Sequence, residues 1–168
     1  MAYSLIKLTP TIAAAEMAAG DVLFDSTEVV LPAHACKLVS VTIVDYEKKL
    51  LADDIAVLFH HDNAGGSFGA SGDAEALSVA NAVLNQPIAV VRCNSELEGS
   101  FANFGVLNNN AFDSAGGAPQ SGPVILSKDK SDDKLFVMAR VVSVSTAGTM
   151  AGTNDDGGDL AVYLGFEY

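Results

Sequence analysis

The sequence has no tryptophan, only two cysteines and few basic residues, and each shortage argues against a class of protein. Nine basic residues stand against 21 acidic ones, which gives a net charge of −12. Because a chain this acidic repels phosphate groups, we expect neither nucleic acid nor an anionic membrane surface as a partner. Aromatic residues make up only 7% of the chain, which argues against a sugar-binding surface of stacked rings.

The two cysteines, Cys36 and Cys93, lie far apart and lack the paired spacing of a zinc site or of a disulfide framework. We therefore expect two reduced, buried thiols in a protein that is made in a reducing cytoplasm. The first residues, MAYSLIKLTP, have no basic run before an apolar stretch, which predicts no secretory signal. The longest nearly apolar window is too short to span a bilayer.

Alternation of apolar with polar or small residues predicts β-strands along most of the chain. The clearest case is DLAVYLGFEY, in which Leu160, Val162, Leu164 and Phe166 share one face. Shorter apolar runs predict further strands at Tyr3–Leu8, Asp21–Asp25, Glu28–Pro32, Ile55–His61, Pro87–Cys93, Ser100–Val106 and Pro123–Ser127.

Two further strands differ in how their apolar residues are arranged. In LVSVTIVD, Val39, Val41 and Ile43 share one face, which predicts a strand with one side buried. In LFVMARVVSVS, which runs from Leu135 to Ser145, both faces are apolar. That pattern is typical of a central strand that is covered on both sides.

One segment, DAEALSVANAVLN at Asp73–Asn85, has a helical pattern. Leu77, Ala80 and Leu84 fall on one face, and Asp73 is placed to cap the start. About ten short strands with one helix in a connection predict an all-β protein, a jelly-roll β-sandwich. We assign residues 20–168 to this domain and residues 1–19 to an N-terminal arm or edge strand.

The stretch FHHDNAGGSFGASGD carries two of the three histidines, His60 and His61. Adjacent residues of a strand point to opposite faces, so the pair is a poor metal site. Cupin enzymes, which share the jelly-roll fold, separate two such histidines by one residue, and this sequence departs from that pattern. A cupin-like metalloenzyme using His34, His60 and His61 remains a less favoured alternative. We expect no metal, no cofactor and no catalytic residues, since no nucleophile motif such as GxSxG occurs.

Two other candidates have both a structural and a functional interpretation. The run NDDGGD, residues 154–159, predicts a hairpin turn, although its aspartates offer oxygen ligands for calcium. Arg140 stands alone in an apolar strand, which predicts a carboxylate partner or a place at a subunit contact.

The order of these segments resembles that of the jelly-roll decoration, or cement, proteins of tailed phages. GDVLFDSTEVVLP leads into KLVSVTIVDYEKKLLADDIAVLFHHD, a polar helical insertion follows, and then a strand like PIAVVR. Near the end, LFVMARVVS and GGDLAVYLGFEY close the chain. The resemblance implies a structural virion protein that is not an enzyme. Such a protein lies on the outer surface of the capsid, binds the major capsid protein and forms a homotrimer.

An apolar N-terminal arm would dock on a neighbouring subunit or on the shell, because exposed it would promote aggregation. The candidate interface residues are Leu5, Ile6, Leu8, Ile12, Met17 and Arg140. The main alternative is a virion host-recognition or carbohydrate-binding sandwich module, which would use the loops at one end.

Overall fold

In the computed structural model, which describes residues 2–13, 17–46, 54–94, 105–109, 124–128, 134–143 and 160–168, the chain forms nine strands and one helix. The strands are β1 (Tyr3–Leu8), β2 (Val22–Val29), β3 (Ala35–Asp45), β4 (Asp54–His60), β5 (Pro87–Asn94), β6 (Gly105–Asn109), β7 (Val124–Ser127), β8 (Leu135–Ser143) and β9 (Leu160–Glu167). The helix α1 (Val79–Leu84) lies between β4 and β5.

The strands are arranged as two antiparallel sheets of four. The first sheet has the order β1-β9-β3-β6, and the second has the order β5-β4-β8-β2. The two sheets join where the end of β5 pairs with β6, at Cys93 opposite Asn109 and Asn94 opposite Asn108, and β7 adds to β3. The first and last strands are neighbours, and most successive strands lie in different sheets, as in a jelly roll of two Greek keys. The predicted all-β jelly-roll sandwich is confirmed.

The core lies between the two sheets and follows the predicted alternation. Leu160, Val162, Leu164 and Phe166 of β9 are all buried in one cluster with side chains from the second sheet. Strand β8 is buried on both faces from Leu135 to Ala139, as predicted for a central strand, since β4 and β2 flank it.

The prediction for one face of β3 is wrong at Val39. Leu38, Val41 and Ile43 point into the core, whereas Val39 is exposed. A register shift between Leu38 and Ser40 in the pairing with β9 inserts one extra residue. Such a bulge reverses the side-chain alternation on either side of it.

The helix is shorter than predicted and begins at Val79. Its cap is Ser78, whose hydroxyl accepts a hydrogen bond from the backbone N–H of Asn81 at 3.2 Å. Asp73 does not cap it, because the Asp73 carbonyl accepts a hydrogen bond from the Val22 N–H of β2. The predicted apolar face is not buried either, since none of the six helical residues is buried.

The N-terminal segment belongs to the sandwich. Tyr3–Leu8 is an edge strand that pairs with β9. Ile12 and Met17, 2% and 1% exposed, lie in the core of their own chain, and Ile6 and Leu8 pack against it. Ile12 and Met17 were predicted as interface candidates, and the structure buries both in their own chain. Their role at an interface stays a prediction.

Several other predictions concern residues in and around these strands. Asp21–Asp25 and Glu28–Pro32 were predicted as two strands, but β2 runs from Val22 to Val29 with two register shifts.

Cys36 and Cys93 are free and buried, as predicted, and burial raises the pKa of the Cys93 thiol to about 12. Residues 154–159, the predicted turn or calcium loop, lie outside the described part of the chain.

The N-terminal contacts give a stability prediction. Replacing Ile12 or Met17 by Ala should lower the free energy of unfolding by about 2–5 kcal/mol, the usual cost of such a cavity. The control is Leu5→Ala on the same segment, because Leu5 is 65% exposed and its loss should change stability by about 0.5 kcal/mol or less. Urea unfolding measures all three, and equal stability of the Ile12 and Leu5 variants would contradict the placement of this segment.

Candidate functional site

The candidate site lies on the outer face of the second sheet. Along β4, Ile55, Val57 and Phe59 point into the core, so Ala56 and Leu58 point outward. The neighbouring strands β5 and β8 also point apolar residues outward. The outer face therefore has apolar side chains that must be covered separately from the core. The chain covers one half of this face and leaves the other half open.

The covered half lies under residues 61–78, here called the strap, which follow β4 and include the glycine-rich loop. Phe68 is the anchor of the strap, because it is buried against Val22 and Met138. Leu58 from the sheet and Leu77 from the strap pack against the same cluster. A single aromatic residue among glycines thus forms a second, smaller core outside the sandwich.

Hydrogen bonds hold the strap along β2. The Gly72 N–H donates to the Val22 carbonyl at 2.9 Å, and the Val22 N–H donates to the Asp73 carbonyl at 2.8 Å. The Ser71 hydroxyl donates to the Leu23 carbonyl at 2.6 Å, and the Phe68 N–H donates to Asp25 Oδ1 at 2.9 Å. The strap therefore forms hydrogen bonds with some of the backbone groups on the outer edge of β2. Without the strap, these groups would be open to pairing with another chain.

Asn85, directly after α1, fixes the other end of the strap. Its side chain is fully buried, accepts a hydrogen bond from the Gly65 N–H at 2.6 Å and donates one to the Gly66 carbonyl at 3.1 Å. A Cβ atom on Gly65 would collide with the backbone carbonyl of Asn81. Glycine is required there because the two backbones approach so closely.

His60 is buried beneath the strap. Its ring lies between Phe68, at 5.3 Å edge to face, and Phe136, stacked at 5.6 Å. Nδ1 is 2.7 Å from the Asp62 carbonyl and Nε2 is 3.2 Å from the Ser26 hydroxyl. A neutral ring satisfies both contacts when Nδ1–H donates and Nε2 accepts. Burial lowers the pKa of His60 below its ordinary value of 6.5, which keeps the ring neutral.

His61 has different neighbours. Its Nε2 is 2.7 Å from the carbonyl of Ser127 on β7, so the N–H there donates to the backbone. His34 is exposed and precedes β3. Within the described part of the chain, no group of three or more His, Cys, Asp or Glu side chains is placed to hold a metal ion. The three histidines of the cupin-like alternative are thus not brought together.

The open half of the face forms a concave pocket of about 300 Å³, here called the arginine groove. Its lining is apolar except for one ion pair, and consists of Ala56, Leu58, Phe68, Glu75, Val90, Met138, Arg140 and Val142. Glu75 comes from the strap, so one wall of the groove is the edge of the strap itself. Val90 on β5 stays more than half exposed.

Arg140 stands in the groove and is held by Glu75. The Arg140 Nη1 to Glu75 Oε2 distance is 2.9 Å. A carboxylate partner for Arg140 was predicted and is confirmed, and the side chain projects from the outer face and is exposed. A place for Arg140 at a subunit contact stays a prediction. Arg92, on the outward face of β5, makes a similar pair with Asp54, at 2.6 Å from Nη2 to Oδ2.

Sequence reasoning missed Arg92, Glu75 and Phe68. A signal existed for Arg92, since it ends the apolar run of PIAVVRC much as Arg140 interrupts LFVMARVVS. Phe68 was visible as the only aromatic residue of a glycine-rich loop. Nothing local marked Glu75, because its pairing with Arg140 depends on the path of the strap across the sheet.

The groove offers apolar contact and guanidinium donors, which are features of a binding surface. Glu75, which pairs with Arg140, is the only carboxylate among the residues that line it, and no serine, threonine, cysteine or histidine lines it. Comparison with models of known protein families gives no match, and neither does comparison with curated protein sequences. In the described part of the chain, no helix is long and apolar enough to cross a membrane.

The buried histidine predicts a dependence of stability on pH. As the pH falls through 6.5, the unfolded chain binds a proton at His60 and the folded chain does not. The unfolded state is therefore stabilised, and the free energy of unfolding decreases. Between about pH 7.5 and about pH 5.5, the wild type should lose more stability than His60→Asn, by about 1 kcal/mol per pH unit at most.

Urea unfolding at several pH values measures this difference, and His34→Asn is the matched control because His34 is exposed. The control should lose as much stability as the wild type over the same range. If His60→Asn and the wild type had parallel pH profiles, the ring would not be buried in its neutral form.

Proposed function

We propose that this protein is a decoration, or cement, protein that binds the outer surface of a phage capsid and stabilises the shell as a homotrimer. The order of its sequence segments, which resembles that family, supports the proposal. The jelly-roll sandwich is the fold that this resemblance implies. The proposed partners are the major capsid protein and further copies of this chain, and the role is structural, not enzymatic.

The observation that carries the proposal is the apolar surface that the connection between β4 and β5 exposes. Val79, Val83 and Leu84 of α1 are 84%, 67% and 53% exposed. A short helix gains its stability mainly from packing an apolar face, and α1 buries none of its residues on its own chain. Exposed apolar groups of this kind are typical of a surface that a partner covers.

Charge is consistent with a role on a crowded particle. A net charge of −12 makes free copies repel one another and other acidic surfaces. Attachment then depends on local contacts and not on overall attraction. Nucleic acid and membranes are excluded from the proposed partners for the same reason.

Stabilisation follows from mass action. A protein that binds the assembled shell, and not its separated subunits, lowers the free energy of the assembled state by RT ln(1 + [L]/Kd). This is about 2.7 kcal/mol for each site at a concentration of 100 Kd. A rigid sandwich suits this role because little of it has to be ordered on binding.

Attachment to capsids is the direct test. The purified protein is mixed with phage heads that lack their decoration protein, and the heads are pelleted. The wild type should pellet with the heads and raise the temperature at which they release DNA. The double variant V79S/V83S should pellet less, because it removes apolar contact area from a helix that contributes nothing to its own core.

The matched control is Val30→Ser, because Val30 is 73% exposed and lies after β2, away from the helix in sequence. This variant should attach like the wild type. A wild-type protein that stays in the supernatant with heads but binds host cells or glycans would favour a host-recognition module instead.

The oligomeric state is a separate prediction. Light scattering at micromolar concentration should give the mass of three chains of 17.3 kDa each. The physical reason is that the exposed apolar side chains on β5 and α1 favour association. A mass of one chain at all concentrations tested would remove the homotrimer from the proposal and leave a monomeric decoration protein.

A further inference from the structure

We propose that the arginine groove binds an extended segment of a partner protein that carries carboxylates next to apolar side chains. Under the proposed function, on which the identity of the partner rests, this segment belongs to the major capsid protein. The groove itself is defined by its own residues. It can therefore be tested without a capsid.

The first observation is the position of the two arginines. Arg92 and Arg140 are the only arginines in the sequence. Ala56 on the central strand β4 pairs with Arg92 on β5 and with Arg140 on β8. Both arginines therefore flank one small residue in a single row across the sheet, about 10 Å apart at the backbone, which is two strand spacings.

The second observation is an apolar row beside them. Leu58, two residues further along β4, pairs with Val90 on β5 and with Met138 on β8. The two rows lie next to each other on the same face of the sheet, because residues two apart share a face. Met138 is buried against Phe68, so a segment lying across these strands would meet guanidinium groups on one side and, on the other, the exposed Val90 and the half-buried Leu58.

The third observation concerns which charges face the solvent. In the Arg140–Glu75 pair the side chains are 44% and 28% exposed, and in the Arg92–Asp54 pair they are 49% and 27% exposed. The carboxylates sit deeper and the guanidinium groups are nearer the surface. Each ion pair is neutral as a whole, but its more exposed member is the guanidinium, whose remaining N–H groups are complementary to a carboxylate of a partner.

The ion pairs also prepare the arginines for binding. Each guanidinium has five N–H groups, and the pair with Glu75 or Asp54 engages one nitrogen. Held in this way, the long side chains lose less conformational entropy when a second carboxylate binds. Arginine in a partly apolar surface is also among the residues that contribute most to binding between proteins.

The test uses the full chain and a defined peptide. The peptide acetyl-Leu-Asp-Asp-Leu-Leu-Asp-amide presents carboxylates and apolar side chains on both of its faces. Because the chain has two arginines, a ¹⁵N-labelled sample gives two arginine Nε signals, which R92Q and R140Q assign. When the peptide is added, we expect both signals to shift and to follow one saturable binding curve. A control peptide with Asn in place of each Asp should shift neither signal.

The variants decide whether the groove is responsible. R140Q should weaken binding about tenfold, the effect of losing a hydrogen bond between charged groups. K37Q is the matched control, because Lys37 forms an exposed pair with Glu167 at 3.0 Å on the first sheet. It removes the same charge and should change binding about twofold or less. No shift of the arginine signals up to the solubility limit of the peptide, or equal losses in R140Q and K37Q, would overturn the proposal.

Two further outcomes separate this inference from the proposed function. If R140Q dissociated the oligomer, the groove would be occupied by a second copy of the chain. The proposal that it binds an acidic segment of another protein would then be wrong. If the wild type bound the peptide but no capsid, the groove would stand and the decoration role would fail. If R140Q attached to capsids as well as the wild type did, the decoration role would stand and its attachment would not use the groove.

Discussion

The structure depends on one constraint, which is that the second sheet carries apolar side chains on both faces. A strand points alternate residues to opposite sides, so β4 and β8 cannot bury all their apolar residues between the two sheets. Val57 and Phe59 fill the core, while Leu58 and Met138 face away from it. The outer face must then be covered, either by the chain itself or by something else.

The strap resolves this constraint over half of the face. Phe68 closes a small outer core, and His60 is buried there as a neutral ring with both nitrogens hydrogen-bonded. The two adjacent histidines that suggest chemistry in the sequence are thus explained by packing and backbone hydrogen bonds. The glycines of this loop let the backbone approach α1 and β2 closely enough for those contacts.

The open half of the face is the surface on which the proposed binding rests. Val90 is exposed beside Leu58 and Met138, which pack against the outer core, and the two arginines lie in the next row. The strap contributes to this surface as well, because Glu75 orients Arg140. A structural element that covers one half of the sheet therefore also shapes the groove in the other half.

Much of the fold was predictable because alternating apolar and polar residues indicate a strand with one buried face. An unbroken apolar run indicates a strand that is buried on both faces. Leu160–Glu167 and Leu135–Ser143 were predicted correctly for this reason. The failures have local physical causes. A bulge at Val39 reversed the alternation, and the backbone pairing of Asp73 with β2 took away the expected helix cap.

By itself, the sequence determined the class of fold, the buried faces of the main strands and the free thiols, because these follow from composition and from period-two patterning. Only the tertiary structure decided that residues 3–8, Ile12 and Met17 belong to the same sandwich, that the glycine-rich loop is a strap, and that Arg92 and Arg140 flank Ala56. These features join residues far apart in the chain. No local pattern encodes such pairings, since they depend on which strands become neighbours and in which register.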